Sequence, residues 1–595
     1  MDFPEYRLFD AVEYQLKNFP KADMLGAKVD GIWKTFSTEE ISSIVNRMSA
    51  GLLDLGISGR DFTAESSDKI AMISNNRPEW IFADLAVQQL GAVLVPLYPT
   101  TNPHELAFIL NESQAKYIFV SSRELLEKIK EIKSEYLQGI FTFDKIEGVA
   151  HYTELAAKAT AETLLQVEQI RKTIPNSHTA TIIYTSGTTG IPKGVMLSHA
   201  NIISNVFFSK ESFPFPDQPQ ARVLSFLPLN HIFEKMVTYI YLFSGISVYY
   251  AESLETIADN LRELQPNGFS TVPRLLEKVY ERIISKGREL KGIKKAIFFG
   301  SVAVARKYDN RKKGSFIYEF LLKVARKLVF SKWKEALGGR IEFIVTGGAA
   351  ASEKLLRIFN AAEIPIYEGY GPTEHSPVIA VNRKASDGMY FGTVGPPING
   401  VEVKLAPDGE ILARSPSIMQ GYYKRPDLTA DAVKDGWLYT GDIGIWVEDR
   451  FLKITDRKKE LFKTSGGKYV APQPIENKMK ESRHIEQIIV VGDGQKFVGA
   501  LVVPSFVAVS EWLMERYPNE QFTHEQIAAH PEVNKLIGSI IEHYNKNFNH
   551  VEQIKKFVLL PHEWTVAGGE MTPKLSLRRK VVLDKYRDEI EKLYS

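Results

Sequence analysis

The chain has 595 residues, 44% of them hydrophobic and 25% charged, a balance that excludes intrinsic disorder and collagen-like structure. Its formal charge is 74 − 72 = +2, so no global field favours nucleic acid as a partner, and none is expected. There is no cysteine, which excludes disulfides, thiolate metal sites and any thioester held on the chain's own sulfur.

Single hydrophobic cores stop growing at roughly 250–300 residues, so at least two domains are expected. The first residues, MDFPEYRLFD, lack a basic stretch followed by an apolar one, and the expected compartment is the cytoplasm. Over the first 150 residues, helical and strand patterns alternate, as in an α/β domain. Ile44, Val45, Met48, Leu52 and Leu53 recur at helical spacing, with Gly56 as a stop. Short apolar runs at 69–74, 92–98 and 117–120, separated by helical segments such as 78–90, read as buried strands with crossover helices. The apolar stretch 236–251 is too short to span a bilayer and carries four tyrosines, so a buried helix and strand are expected there.

Residues 306–340 hold eleven Lys or Arg against three acidic residues, and Ile317, Phe320, Leu321, Val324 and Leu328 form one apolar stripe. The pattern predicts a basic amphipathic helix, packed by its stripe and solvated by its charges. Peripheral contact with a membrane surface is the alternative use, of interest if the substrate is a lipid. Beyond 401, short segments are broken by Pro and Gly, and Pro407-Asp408-Gly409-Glu410 between two strand-like runs predicts a hairpin. A smaller Lys-rich module is expected from about 456, with strands over 488–491 and 497–503 and helices near 472–480 and 531–547.

Four clusters carry chemistry. The first is Tyr184-Thr185-Ser186-Gly187-Thr188-Thr189-Gly190-Ile191-Pro192-Lys193-Gly194, after the strand-like run 181–183. Glycines and hydroxyl residues offer N–H and O–H donors to phosphate oxygens, and Lys193 adds a cation. It is not a Walker A loop, because no Gly-Lys-Ser/Thr follows at the required spacing. The second is Glu368-Gly369-Tyr370-Gly371-Pro372-Thr373-Glu374, where glycines let a planar ligand approach Tyr370 while Thr373 and Glu374 present oxygens suited to Mg²⁺. Just upstream, the strand-like run at 343–346 ends in Gly347, Gly348, Ala349 and Ala350, small enough for a base or acyl group to lie against backbone. The third is Tyr439-Thr440-Gly441-Asp442, and the fourth runs from Asp456-Arg457-Lys458-Lys459-Glu460 to Gly466, Gly467 and Lys468. Asp442 can accept two ribose hydroxyls and Arg457 can donate to the same sugar. Taken singly, the last two are better read as a surface turn and a solvated charge run.

In this order and at these separations, the clusters resemble the adenylate-forming superfamily, which includes acyl-CoA synthetases, firefly luciferase and peptide-synthetase adenylation domains. The resemblance runs from about Trp33 to the C-terminus. Asn75-Asn76-Arg77-Pro78-Glu79-Trp80, Val95-Pro96-Leu97-Tyr98-Pro99-Thr100, Leu227-Pro228-Leu229-Asn230-His231-Ile232-Phe233-Glu234 and Val272-Pro273-Arg274 look like the long-chain fatty acyl-CoA synthetase branch.

The resemblance implies a mixed α/β fold: a large N-terminal part over 1–455, with βα-layered sheets and a small β-barrel-like region, and a small mobile α+β domain over 456–595. It implies ATP-dependent activation of a fatty acid to acyl-AMP, then transfer to coenzyme A, with Mg²⁺. Thr185, Ser186, Gly187, Thr188, Thr189, Gly190 and Lys193 would hold phosphates, and Glu374 with Thr185 would hold the metal. Tyr370 would lie on adenine near Gly347, Gly348 and Ala349. Asp442 and Arg457 would fix the ribose, and Glu368, Gly369, Gly371, Thr373, Gly466, Gly467 and Lys468 fall among the cofactor-binding positions. His231 would orient the substrate carboxylate. The family's tunnel-gating tryptophan would fall near Lys235, so no tryptophan gate is expected.

Lys459 matches the hinge. Long-chain enzymes read Thr-Pro-Thr-hydrophobic-Lys-Leu where this chain reads Thr572-Pro573-Lys574-Leu575-Ser576-Leu577, so the family's adenylation lysine position holds Ser576. Lys574, two residues earlier on the same face of an extended segment, is the candidate for the role. Alternatives are an acyl-AMP ligase serving a carrier protein, an aryl-CoA ligase, and a catalytically silent nucleotide-binding regulator. Hydrolytic and zinc-protease readings fail for want of a Gly-x-Ser-x-Gly elbow or correctly spaced histidines.

Overall fold

The computed structural model describes residues 3–186, 191–212, 220–384, 388–572 and 577–595. Two large sheets organise the first three quarters of the chain. The seven-stranded sheet has Lys69–Ile73 near its middle, flanked in parallel by Val93–Leu97 and Ala115–Val120. All five residues of Lys69–Ile73 and of Val93–Leu97 are buried, which is why these segments are continuously apolar rather than alternating. The side chains still alternate: Ile70 and Met72 enter the main core, whereas Ala71 and Ile73 enter a smaller one on the other face, with Leu106, Leu110 and Tyr423.

The eight-stranded sheet is parallel through Ile366–Tyr370, Phe343–Thr346, Gly268–Thr271, Arg222–Ser225, Ser247–Tyr250 and Leu25–Val29. Crossover helices join the strands as expected. Pro78–Gln88 starts with proline, which gives up no hydrogen bond there, and Thr38–Asp54 is closed by a reciprocal Ser37–Glu40 capping box. The stretch after Met236 is helix Ile232–Phe243 followed by strand Ser247–Tyr250, both buried. Among the described residues, no helix is long and apolar enough to cross a membrane.

Beyond 401 the expected hairpin is formed: Glu402–Leu405 pairs antiparallel with Glu410–Arg414. It belongs to a five-stranded antiparallel sheet with Trp437–Val447 and Phe451–Arg457, open like a half-barrel. A separate core runs from Val470 to Leu593 around a three-stranded sheet of Ile485–Val491, Val498–Pro504 and Ile554–Leu559. Helices Pro472–Met479 and Pro531–Asn545 flank it at the anticipated positions.

The basic segment departs from expectation. Residues 306–315 are not helical, and the rest is helix Phe316–Ala325, a π turn Arg326–Phe330 and helix Ser331–Ala336. Its packed face is Leu322, Ala325, Val329, Phe330 and Trp333, whereas Ile317, Phe320, Leu321 and Leu328 of the anticipated packing stripe are exposed. The segment is apolar on two faces, and periodicity alone does not say which face meets the core.

Candidate active site

The first cluster sits at the tip of an antiparallel hairpin. Thr179–Ser186 pairs with Pro192–Ser198, which sets Thr185 opposite Lys193 and Tyr184 opposite Gly194. Gly187, Thr188, Thr189 and Gly190 lie outside the described residues. Lys193 is on the returning strand. Gly194 is required there, since a Cβ would lie 2.7 Å from Ile182 Cγ2 and 3.1 Å from Tyr184 Cζ.

Lys193 is half-buried, with its Nζ 4.2 Å from the centre of the Tyr422 ring. Burial lowers its pKa, Glu374 works against that shift, and the nearby Lys459 and Arg425 cations reinforce it. The Tyr422 hydroxyl donates to Glu374 Oε1 at 2.7 Å. One buried tyrosine therefore joins the cation of the first cluster to the carboxylate of the second. Tyr422 was missed by sequence reasoning, its only signal being two aromatics, Tyr422-Tyr423, after Gly421 in a turn-rich stretch.

Glu374 lies in the 3-10 turn Thr373–His375, and Met419 N donates to its carbonyl at 2.8 Å. Gly371 has a different reason from the one its sequence suggests: an ideal Cβ would fall 1.6 Å from the Pro377 carbonyl oxygen. Chain packing against Pro377 therefore requires glycine at this position. The Tyr370 hydroxyl donates to Asp442 Oδ2 at 2.7 Å, which brings the second and third clusters into direct contact. Desolvation, joined by the neighbouring Asp442 charge, holds the Tyr370 hydroxyl protonated well above its usual range. Burial also raises the Asp442 carboxyl, opposed by Arg457 and by the Tyr370 hydrogen bond.

Asp442 faces Arg457 across paired strands, with Oδ1 3.5 Å from Arg457 Nε. Beside them, Gly441 N donates to Glu410 Oε1 at 2.9 Å and Lys458 Nζ reaches Glu410 Oε2 at 2.7 Å, so Glu410 pins both strands. Lys459 follows in the exposed turn. Asp456, buried in the same strand, accepts from Gln473 N at 3.2 Å in the first turn of Pro472–Met479, and burial pushes its carboxyl up to about 7.

Glu368 is buried, and Ala351 N donates to its Oε1 at 2.8 Å, tying strand Ile366–Tyr370 to the loop of Gly347, Gly348 and Ala349. Desolvation pushes this carboxyl up to about 8, so it carries a proton at neutral pH. A Cβ on Gly347 would sit 3.2 Å from the Gly369 carbonyl oxygen and 3.8 Å from Phe233 Cζ, so the start of helix Ile232–Phe243 lies against this loop. His231 caps that helix, its Nδ1 accepting from Phe233 N at 3.1 Å.

The long-chain motifs fasten parts together. Asn76 bonds the Leu227 carbonyl and the Leu229 N–H, and Trp80 Nε1 donates to Asn230 Oδ1 at 2.9 Å. At the expected gate position Lys235 is fully buried, with Nζ 2.6 Å from both Asp84 oxygens, and Tyr239 donates to Asp84 at 2.7 Å. Gly466, Gly467 and Lys468 are not drawn into the cluster. They form the exposed turn between Phe462–Lys463 and Tyr469–Val470, closed by Thr464 N to the Lys468 carbonyl at 3.0 Å. Lys574 lies outside the described residues.

No group of three or more His, Asp or Glu suited to a metal occurs among the described residues. The oxygens of Glu374 and Thr185 suit a hard divalent cation only if substrate phosphates complete the shell, which is the way Mg²⁺ is ordinarily held at nucleotide sites.

Residues 12–423 match the AMP-binding enzyme family and residues 460–595 match the AMP-binding enzyme C-terminal domain. The chain is 31% identical over 579 residues to the long-chain-fatty-acid–CoA ligase FadD15 of Mycobacterium bovis, covering 95% of this chain and 93% of that one. It is 30% identical over 598 residues to long-chain-fatty-acid–CoA ligase 1 of Homo sapiens, covering 96% and 83%. In fold it is similar to the adenylation domain of a carboxylate reductase from Mycobacterium chelonae, with a TM-score of 0.73 at 21% identity over 99% and 91% of the two chains.

Proposed function

The chain belongs to the AMP-binding enzyme family, and from that premise we propose that it is an AMP-forming long-chain-fatty-acid–CoA ligase acting in the cytoplasm. The observation that carries the reading is the convergence of Lys193 and Glu374 on Tyr422, with Tyr370 and Asp442 joined alongside. That is a cation and a hard carboxylate next to an aromatic ring and a sugar-binding acid, the set a nucleotide triphosphate needs. The curated relatives supply the acyl class.

In the first step a fatty acid carboxylate attacks the α-phosphate of ATP, forming acyl-AMP and expelling pyrophosphate. Two anions must approach, so oriented cations and N–H donors offset their repulsion in the transition state. Lys193 together with Thr185, Ser186, Gly187, Thr188, Thr189 and Gly190 holds the phosphates. Glu374 and Thr185 would hold Mg²⁺, which would neutralise phosphate charge when bound. Tyr370 lies on the adenine beside Gly347, Gly348 and Ala349, Asp442 and Arg457 take the ribose, and His231 orients the carboxylate. Glu368, protonated and buried, with Gly369, Gly371 and Thr373, keeps this wall in shape.

In the second step the coenzyme A thiol attacks the acyl carbonyl and AMP leaves. The chain divides at about residue 455, Lys459 is the hinge, and rotation of residues 456–595 exchanges Lys574, serving adenylation, for a face carrying Gly466, Gly467 and Lys468 that meets coenzyme A. A membrane-surface contact of residues 306–340 belongs to the same reading. The test is pyrophosphate release over a panel of fatty acids, with coenzyme A or acyl carrier protein as acceptor. Saturable dependence on long acids, and thioester only with coenzyme A, is expected; no acyl dependence at any length overturns the reading.

A further inference from the structure

Twenty large apolar side chains are exposed among the described residues, and seven of them fall within 36 consecutive residues: Ile293, Ile297, Phe316, Ile317, Phe320, Leu321 and Leu328. Three are open almost completely, Phe316 at 88%, Ile293 at 79% and Ile317 at 70%. Of the seven, all but Leu328, which is in the π turn that follows, lie on two helices packed on each other, Gly292–Ala305 and Phe316–Ala325, whose opposite faces supply Phe298, Val302, Leu322 and Ala325 to the core. An outer apolar face of this size on a soluble fold marks a contact surface.

Charge decides what covers it. Residues 291–340 hold fourteen Lys or Arg and three acidic residues, although the whole chain carries only +2. Arg311, Arg326 and Lys334 are committed to ion pairs with Glu448 and Glu363 that fasten the segment to the body. Lys294, Lys295, Lys313, Lys323 and Lys327 are exposed and form no ion pair among the described residues. Lys294 and Lys295 alternate with Ile293 and Ile297, and Lys323 and Lys327 border the face formed by Phe316 and Phe320. A second copy of the chain would set like charges against each other. A bilayer with anionic lipids offers both an apolar layer for the phenylalanines and isoleucines and negative charge for the surrounding ammonium groups.

We infer that the helical pair 292–325 is a lipid-docking surface, inserting Phe316, Ile317, Phe320 and Ile293 into an anionic membrane while the lysines engage headgroups. This rests on the ligase reading for its use: a long-chain acid resides in lipid, because its methylenes avoid water, and docking places the enzyme where its substrate is concentrated.

The test is flotation of the full chain with vesicles of phosphatidylcholine alone or mixed with phosphatidylglycerol, at low and high salt. The wild type is expected to float with the mixed vesicles at low salt and to be released at high salt, since headgroup attraction is screened. The Phe316→Ser/Phe320→Ser and Lys323→Glu/Lys327→Glu variants are expected to lose flotation about tenfold or more, with pyrophosphate exchange on a water-soluble medium-chain acid unchanged. Wild type that ignores mixed vesicles, variants that float as well as wild type, or a wild-type dimer in solution that Phe316→Ser/Phe320→Ser abolishes overturns the docking inference. Vesicle binding without acid-dependent exchange in the wild type would instead count against the ligase reading and leave the docking surface standing.

Discussion

Tyr422 holds two charged groups through two parts of one side chain, its hydroxyl donating to Glu374 and its ring lying under the Lys193 ammonium. The two contacts are separable. Tyr422→Phe keeps the ring and removes only the donor, so Glu374 loses the hydrogen bond that fixes its carboxylate. A bond to a charged group contributes about 1.5–3 kcal/mol, or roughly ten- to a hundredfold in rate if the transition state needs it. The expected outcome is slower pyrophosphate exchange for Tyr422→Phe, partly restored by raising Mg²⁺, with the KM for ATP little changed. Tyr422→Leu also loses the cation–ring contact and is expected to raise the KM for ATP as well. Equal effects of the two substitutions, with no Mg²⁺ dependence, would rule out the positioning role. Lys574 is tested at the same scale. Its replacement by alanine is expected to slow adenylation by about a hundredfold or more while sparing transfer from preformed acyl-AMP, and normal adenylation would remove it from the mechanism.

At the level of elements, two buried glutamates make stability depend on pH. Glu234 lies in helix Ile232–Phe243, accepting from Ser225 Oγ at 2.6 Å, and Glu368 lies in strand Ile366–Tyr370. Burial pushes both carboxyls up to about 8 from an ordinary value of 4.5. Between those values the folded chain keeps protons that the unfolded chain has released, so stability is full below the unfolded pKa and is lost as pH rises through the folded one. Each group contributes a slope approaching about 1.4 kcal/mol per pH unit in that window. Glu234→Gln with Glu368→Gln is expected to flatten the fall in melting temperature between about pH 4.5 and about pH 8, and a wild type whose Tm does not fall across that window would contradict the assignment.

The same elements show what the sequence could convey. Continuous apolar runs located Lys69–Ile73 and Val93–Leu97 to within two residues, because a parallel strand covered on both faces leaves that pattern whatever its neighbours. The clusters around Lys193, Tyr370 and Asp442 were legible because each keeps its chemistry within a few consecutive residues. Tyr422 and Glu410 were not, since each acts through partners far along the chain, Glu374 and Gly441, that only folding brings near. Nor was the outward face of Phe316–Ala325, because a helix apolar on two sides does not announce which one is covered.

Across the whole molecule, several ion pairs link the two cores among the described residues. Helix Pro273–Glu289 presents Arg274 to Glu486 and Arg288 to Glu511, the latter pair at 3.0 Å, and Lys354 Nζ donates to the Glu481 carbonyl at 3.2 Å. On the other flank Arg578 approaches Glu105 at 3.8 Å. Among the described residues the apolar clusters on the two sides are separate, and partly exposed ion pairs contribute only about 0–1 kcal/mol each. Such a boundary fits the proposal that the smaller domain changes its face between half-reactions, because two arrangements separated by one or two kcal/mol are both populated. Arg274→Glu with Arg288→Glu reverses the two charges on one helix. It is expected to leave the melting temperature nearly unchanged and to shift the arrangement equilibrium by roughly tenfold. The two half-reactions should then move apart: the one served by the present arrangement falls, while the other is spared or improved. Pyrophosphate exchange measures the first half-reaction and acyl transfer from preformed acyl-AMP to coenzyme A the second. A uniform loss of both, or no change in either, would mean that these ion pairs do not govern the rotation.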